Sequence, residues 1–134
     1  MKKHLLILSV ILLTGITAIA QTANTQVVTN LSAERFKAII TNDKNGIVLD
    51  LRTTEEIFSK GKIAGSFQLD YLAKDSEKQI DKLDKTKTYY VYCASGGRSA
   101  DCAEYMEKHG FKRVYTLEKG FSDWASKGYA IEKK

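Results

Sequence analysis

Apolar residues in this chain fall into short runs of two kinds, and the two kinds alternate. Compact runs at residues 26–29, 47–51, 88–92 and 114–117 are rich in β-branched and aromatic side chains and predict strands. The run at 47–51 has the continuous apolar character of a buried parallel strand. Between these runs, apolar positions recur at helical spacing: Phe36, Ile39 and Ile40, then Ala100, Ala103 and Met106, then Phe121 and Trp124. Ser32 predicts an N-cap for the first helix, with Glu34 favourably placed in its first turn. Thr53-Thr54-Glu55-Glu56 predicts another cap with an acidic first turn, leading into Ile57 and Phe58. Residues 75–84 read as a short surface helix whose apolar pair is Ile80 and Leu83, and Gly110 stops the helix that contains Met106. Residues 42–46 and the glycine-punctuated stretch 61–66 supply turns in a chain with no proline. Such alternation predicts an α/β domain of three layers, with a central parallel sheet covered by helices on both faces. Sites in such sheets lie at the C-terminal ends of strands, where Asp50, Arg52 and Cys93 stand.

Composition changes this picture mainly at the N-terminus. Lys2-Lys3-His4 precedes an apolar stretch from Leu5 to Leu13 broken only by Ser9, and Ala18-Ile19-Ala20 follows before Gln21. That is the layout of a Sec-type secretory signal, and residues 5–20 fall short of the roughly 20 that span a bilayer. The expectation is a cleaved leader at 1–20, a single folded domain at 21–134, and a periplasmic product with no stable membrane association. The formal charge of +5 over 134 residues drops further when Lys2 and Lys3 leave, and the remaining basic residues are scattered. This balance makes no case for nucleic acid or a membrane surface. The two cysteines, Cys93 and Cys102, are too few for a secreted disulfide scaffold. A bridge between them would join a loop to the helix that follows it, where disulfide geometry is restrictive.

The chemistry concentrates at Cys93-Ala94-Ser95-Gly96-Gly97-Arg98-Ser99, directly after the run Tyr89-Tyr90-Val91-Tyr92. A thiol between a strand and a helix start meets backbone N–H groups and the positive end of a helix dipole, both of which favour an anion. Such surroundings lower a thiol's pKa and make it a nucleophile. Small side chains from Ala94 to Gly97 let successive N–H groups converge, and the two glycines permit unusual backbone angles. Arg98 can pin the loop through backbone carbonyls or help hold an incoming anion. Ser99 reads as the N-cap of the following helix. His109 lies at the end of that helix, leaving no second histidine after the leader for a Cys/His pair, and no metal-ligand spacing appears.

This loop closely resembles the active-site loop of rhodanese domains, which are sulfurtransferases. Leu49-Asp50-Leu51-Arg52 followed by Glu55 or Glu56 resembles the family's Asp-x-Arg segment. Gly61-Lys62-Ile63-Ala64-Gly65-Ser66 resembles its Gly-His-Ile-Pro-Gly-Ala segment, and Gly120, Trp124 and Gly128-Tyr129 match its C-terminal pattern. The resemblance runs over the whole chain after the leader and implies a parallel sheet of about five strands. Sulfur-transferring members have four residues between cysteine and arginine, as between Cys93 and Arg98 here, whereas the related dual-specificity phosphatases have one more. The loop therefore falls on the sulfur side and disfavours phosphatase or arsenate reductase chemistry.

The resemblance implies that Cys93 is the catalytic nucleophile and that Ala94, Ser95, Gly96, Gly97, Arg98 and Ser99 form the persulfide-binding loop. It implies a supporting role for Asp50 and Arg52, which form buried polar links beneath the loop, and a packing role for Cys102. Lys62, Ala64 and Lys119 depart from the family pattern by replacing a histidine, a proline and a glycine. Of these, Lys119 is the one expected at the pocket rim. The implied partners are a small sulfur donor such as thiosulfate and a thiol or cyanide acceptor, with room for a protein as acceptor and with no cofactor. A second reading is a carrier that holds sulfane sulfur for a partner protein without turnover.

Overall fold

Strand β4 (Thr88–Tyr92) is buried over its last four residues and occupies the middle of the sheet. The computed structural model describes residues 26–133, so the leader expected at 1–20 lies outside the described residues. In chain order the other elements are β1 (Val28–Leu31), α1 (Ala33–Asn42), β2 (Ile47–Asp50), α2 (Thr54–Lys60), β3 (Phe67–Gln68), α3 (Ser76–Asp81), α4 (Gly97–Lys108), β5 (Arg113–Leu117) and α5 (Gly120–Ser126). The five strands pair in parallel in the order β1-β5-β4-β2-β3.

Strand geometry sends alternate side chains to opposite faces, and β4 divides its aromatics accordingly. Tyr89 and Val91 join Leu49, Leu51, Met106 and Phe111 on the face covered by α3 and α4. Tyr90 and Tyr92 join Phe36, Ile63, Phe121 and Trp124 on the face covered by α1 and α5. Both faces of the central strand are therefore core, which is why its sequence is an uninterrupted apolar run.

Several elements depart from the reading of the pattern, among them the helix read at 75–84, which spans only Ser76–Asp81. The first strand begins at Val28 instead of Gln26, because it pairs Val28 with Val114 and Leu31 with Leu117. The strand β3 left no apolar run to read: it has two exposed residues, Phe67 and Gln68, aligned by pairing with Leu49 and Asp50. The helix α4 starts at Gly97 with Gly96 as its N-cap, so Ser99 is not the cap but sits one turn inside.

Beyond the end of β2, a buried polar knot ties several segments together. The Arg52 guanidinium donates to Asp50 through Nε at 2.9 Å and through Nη2 at 2.7 Å, and to the Gly61 carbonyl at 2.8 Å. Tyr92 donates its hydroxyl to Asp50 Oδ2 at 2.6 Å and accepts the Ile63 N–H at 3.1 Å. The Arg52 guanidinium also lies 3.8 Å from the centroid of the Phe121 ring. Asp50 and Arg52 are both fully buried, and every polar side-chain atom buried among the described residues is hydrogen-bonded. Removing one partner would leave the other as an uncompensated buried charge. Arg52→Met is expected to destabilise the domain by about 3–5 kcal/mol, read as a lowered midpoint in urea denaturation with the slope unchanged.

Candidate active site

Cys93 follows β4 directly, at the C-terminal edge of the sheet, and only 1% of the residue is exposed. Its Sγ accepts the N–H of Gly96 at 3.1 Å and the N–H of Ser99 at 3.4 Å. Ser99 Oγ stands 3.5 Å from the sulfur and bonds the Gly96 carbonyl at 3.1 Å. Burial by itself pushes the thiol up. The Ser99 hydroxyl and the N–H groups of Ser99, Gly96 and Ser95 outweigh it, and the thiol lies below its ordinary value. The loop is thus a set of donors folded around one sulfur.

The fold brings two close approaches to bear on that loop. Gly96 has φ of 107°, and a Cβ there would sit 2.1 Å from the Glu118 carbonyl oxygen. Gly120 has φ of 65°, and a Cβ there would lie 2.6 Å from the Ala94 carbonyl and the Ser95 nitrogen. Neither position admits a side chain. Gly97 differs: its φ is not positive and a Cβ would meet nothing within 4 Å, so only one of the two loop glycines is needed for its backbone. The start of α5 holds the loop from outside. Phe121 N–H donates to the Cys93 carbonyl at 2.8 Å, and Ser122 donates to the Ala94 carbonyl through N at 3.0 Å and Oγ at 2.9 Å.

Arg98 bonds no loop carbonyl; Glu56 is its main partner, and Cys93 beside it adds to the upward shift of the guanidinium. Its Nη1 and Nη2 donate to the two carboxylate oxygens of Glu56 at 2.8 and 2.7 Å. Glu56 is itself held by the N-terminus of α2: it accepts the Thr53 N–H at 2.9 Å while Thr53 Oγ1 accepts the Glu56 N–H, a reciprocal capping box. The bidentate bond from Arg98 is the main reason that the Glu56 carboxyl is lowered to about 2.

Asp50 and Arg52 are brought together under this arrangement, and their bonds reach Gly61 and Tyr92. They touch the loop only through Tyr92, the residue before Cys93, and through Phe121. Ala94, Ser95 and Gly97 are at least partly exposed on the loop. Lys119 borders the loop through its backbone, with its Cα 3.9 Å from a Cβ built on Gly96, while it lines a cleft with Glu34, Glu118 and Asp123. Lys62 serves structure, donating to the Ser66 carbonyl at 2.8 Å. Cys102 is free, as is Cys93, and lies in the same core cluster. Burial and the charge of Cys93 push the Cys102 thiol up to about 12. His109 caps α4, with Nδ1 2.7 Å from the Tyr105 carbonyl. Among the described residues, no group of three or more His, Cys, Asp and Glu could hold a metal ion.

Ser122, Phe121 and the Tyr92 hydroxyl have no signature in the linear pattern. Glu56 had one, the Thr53-x-x-Glu56 spacing of a capping box, but nothing in that spacing points to Arg98, which is far along the chain.

The profile of the family described as the rhodanese-like domain matches residues 32–127. The chain belongs to this family. A rhodanese-related protein from Thermoplasma volcanium superposes with a TM-score of 0.69 at 27% identity, covering 79% of this chain and 99% of that one. Two relatives come from Bacillus subtilis. YrkF, whose name marks it provisionally as a sulfur carrier, is 33% identical over 78% of this chain and 55% of its own length. YtwF, provisionally a sulfurtransferase, is 31% identical over 70% of this chain and 87% of its own length. The chain thus spans little more than half of YrkF. Relatives named for sulfur transfer support that general chemistry for the rhodanese-like fold seen here.

Two outcomes are expected of the site. Ser99→Ala removes the hydroxyl beside the sulfur, so the midpoint of thiol alkylation by iodoacetamide should move to higher pH. Glu56 is lowered from 4.5 to about 2, so its contribution to stability is present above about pH 4.5 and lost as pH falls through about 2. Glu56→Gln should be less stable than the wild type at neutral pH. The gap should close in acid when thermal midpoints are compared across that range.

Proposed function

We propose that the chain is a sulfurtransferase in which Cys93 carries sulfane sulfur as a persulfide. The single observation that carries this reading is the convergence of the Gly96 and Ser99 N–H groups on Cys93 Sγ at the end of the central strand. In the first step the Cys93 thiolate attacks the outer sulfur of a donor such as thiosulfate. The donor's S–S bond breaks, sulfite departs with the electron pair, and Cys93 is left as the persulfide. In the second step a thiolate, or cyanide in an assay, attacks that outer sulfur and the Cys93 thiolate is released. Donors already aimed at the sulfur favour the anion without reorganisation as the reaction proceeds. The two half-reactions predict ping-pong kinetics.

In this reading Ala94 to Ser99 form the persulfide cradle, Asp50 and Arg52 hold its floor, and Lys119 borders its edge. The leader pattern at 1–20 supports export to the periplasm, with residues 21–134 as the working domain.

Burial of Cys93 favours a second reading, in which the domain stores sulfane sulfur for a protein acceptor and turns over slowly. The name of YrkF points the same way. Mass spectrometry separates the two. Cys93 should gain about 32 Da on incubation with thiosulfate, as expected for persulfidation, and lose it to cyanide or a thiol. Fast loss with steady turnover supports the transferase, and a stable adduct with negligible turnover supports the carrier. Cys93→Ser should show neither the adduct nor turnover, and full activity in that variant would refute the proposal.

A further inference from the structure

Basic residues are scattered along the chain, but the fold gathers several of them at the end of the sheet opposite Cys93. Parallel strands all start at one edge, and the register puts the starts of β1, β5, β4 and β2 side by side there. Lys44 lies in the turn before β2, Lys85 and Lys87 in the loop before β4, and Lys112 and Arg113 where β5 begins. Lys87 and Arg113 line a cleft of about 660 Å³ with Asp43, Tyr90 and Tyr115. Arg113 and Tyr115 also line a second cleft, of about 580 Å³, with Lys112 and Gln26. From Thr88 to Cys93 the chain runs roughly 16 Å at about 3.3 Å per residue, so this face and the thiol belong to separate surfaces.

The positive charge on this face is not neutralised within the molecule. Lys44, Lys87, Lys112 and Arg113 are exposed, and among the described residues neither they nor Lys85 form an ion pair. Lys44 Nζ donates to the Thr41 carbonyl at 2.6 Å, and Arg113 Nε to Thr88 Oγ1 at 3.0 Å. Asp43, the acid that lines the clefts, already accepts the Tyr90 hydroxyl at 2.8 Å and the N–H groups of Asn45 and Gly46. Asp84, in the loop before β4, accepts the N–H and the hydroxyl of Thr86. Cations spread over such a face, with Lys44 and Lys85 beside the clefts, suit an extended anionic surface more than one small anion.

The point where the chain enters the domain selects the surface. Gln26, the first described residue, lines the second cleft, so residues 1–25 reach the domain at this face. A chain led by the apolar stretch Leu5–Leu13 meets a membrane with this face forward and the Cys93 end turned away. Tyr115, half-buried with its ring centroid 5.2 Å from that of Tyr90, adds an amphipathic ring of the kind that suits a headgroup region. A protein that takes sulfur has to reach Cys93, and the opposite end gives it no access. We infer that this basic face docks the domain reversibly on an anionic lipid surface and leaves the Cys93 end facing water. Patches of this kind hold proteins to anionic membranes by charge and release them in salt. Docking draws on the export reading only for the place of the leader and is independent of sulfur transfer at Cys93.

All the strands and both core faces lie within residues 26–133, so the chain from Gln21 carries the whole fold. The test is co-sedimentation of that chain with vesicles of mixed phosphatidylglycerol and phosphatidylcholine, and of phosphatidylcholine alone, at low and high salt. The wild type should bind the anionic vesicles only and leave them as salt rises. Each cation near the surface strengthens binding about fivefold, so Lys87→Gln/Lys112→Gln/Arg113→Gln should bind about a hundredfold more weakly. Arg35→Gln/Lys60→Gln/Lys74→Gln removes the same charge elsewhere and should bind nearly as the wild type does. Anionic vesicles should protect Lys87 and Lys112 from acetylation, read by mass spectrometry, and leave Lys60 and Lys74 reactive. Equal loss in the two triple variants, or protection of Lys60 and Lys74 instead, overturns the inference. Failure to bind anionic vesicles also overturns it, and binding to polyglutamate in that case assigns the face to an acidic protein. Sulfur transfer in solution should be the same for the wild type and the first variant, so loss of docking and loss of sulfur transfer are read separately.

Discussion

A buried sulfur is drawn toward its anionic form only where donors replace the water it loses, and that arrangement organises this molecule. Cys93 leaves the most buried strand of the sheet and is itself almost wholly enclosed. Its donors are peptide N–H groups of its own loop, so the loop must turn its N–H groups inward and its carbonyls outward. The carbonyls are accounted for elsewhere: those of Cys93 and Ala94 accept from Phe121 and Ser122 at the start of α5. Gly96 and Gly120 are there because the loop approaches the Glu118 backbone and the start of α5 more closely than a Cβ allows.

Charge pairing supports the same geometry from below and from the side. Asp50 and Arg52 form a buried pair that would be costly if either partner stood alone. Its remaining bonds reach Gly61 and Tyr92, so the segment after α2 and the end of β4 share one polar anchor. The Glu56–Arg98 pair does similar work at the surface, joining the first turn of α2 to the first turn of α4. Both pairs tie the segment that follows β2 to the end of β4 or the helix after it, although β2 and β4, neighbours in the sheet, are far apart in sequence. Cys102 shows the contrast that environment makes. It lies in the same core cluster as Cys93, but with burial unopposed by donors it is a neutral thiol.

Local features were legible in the sequence by itself. The apolar run ending at Cys93, the small residues after it, the cap at Ser32 and the capping box at Thr53 are interactions within a few residues, and patterns of a few residues record them. The alternation of elements determined the α/β class, because a strand buried on both faces and an amphipathic helix need each other for cover. Tertiary structure decided what depends on pairing across the sheet. It set the register of β1, created β3 from two exposed residues, moved the start of α4 to Gly97, and gave Arg98 Glu56 as its partner instead of a loop carbonyl. It also showed that the loop at Cys93 is held by α5, through backbone groups that every residue possesses and no sequence pattern can mark.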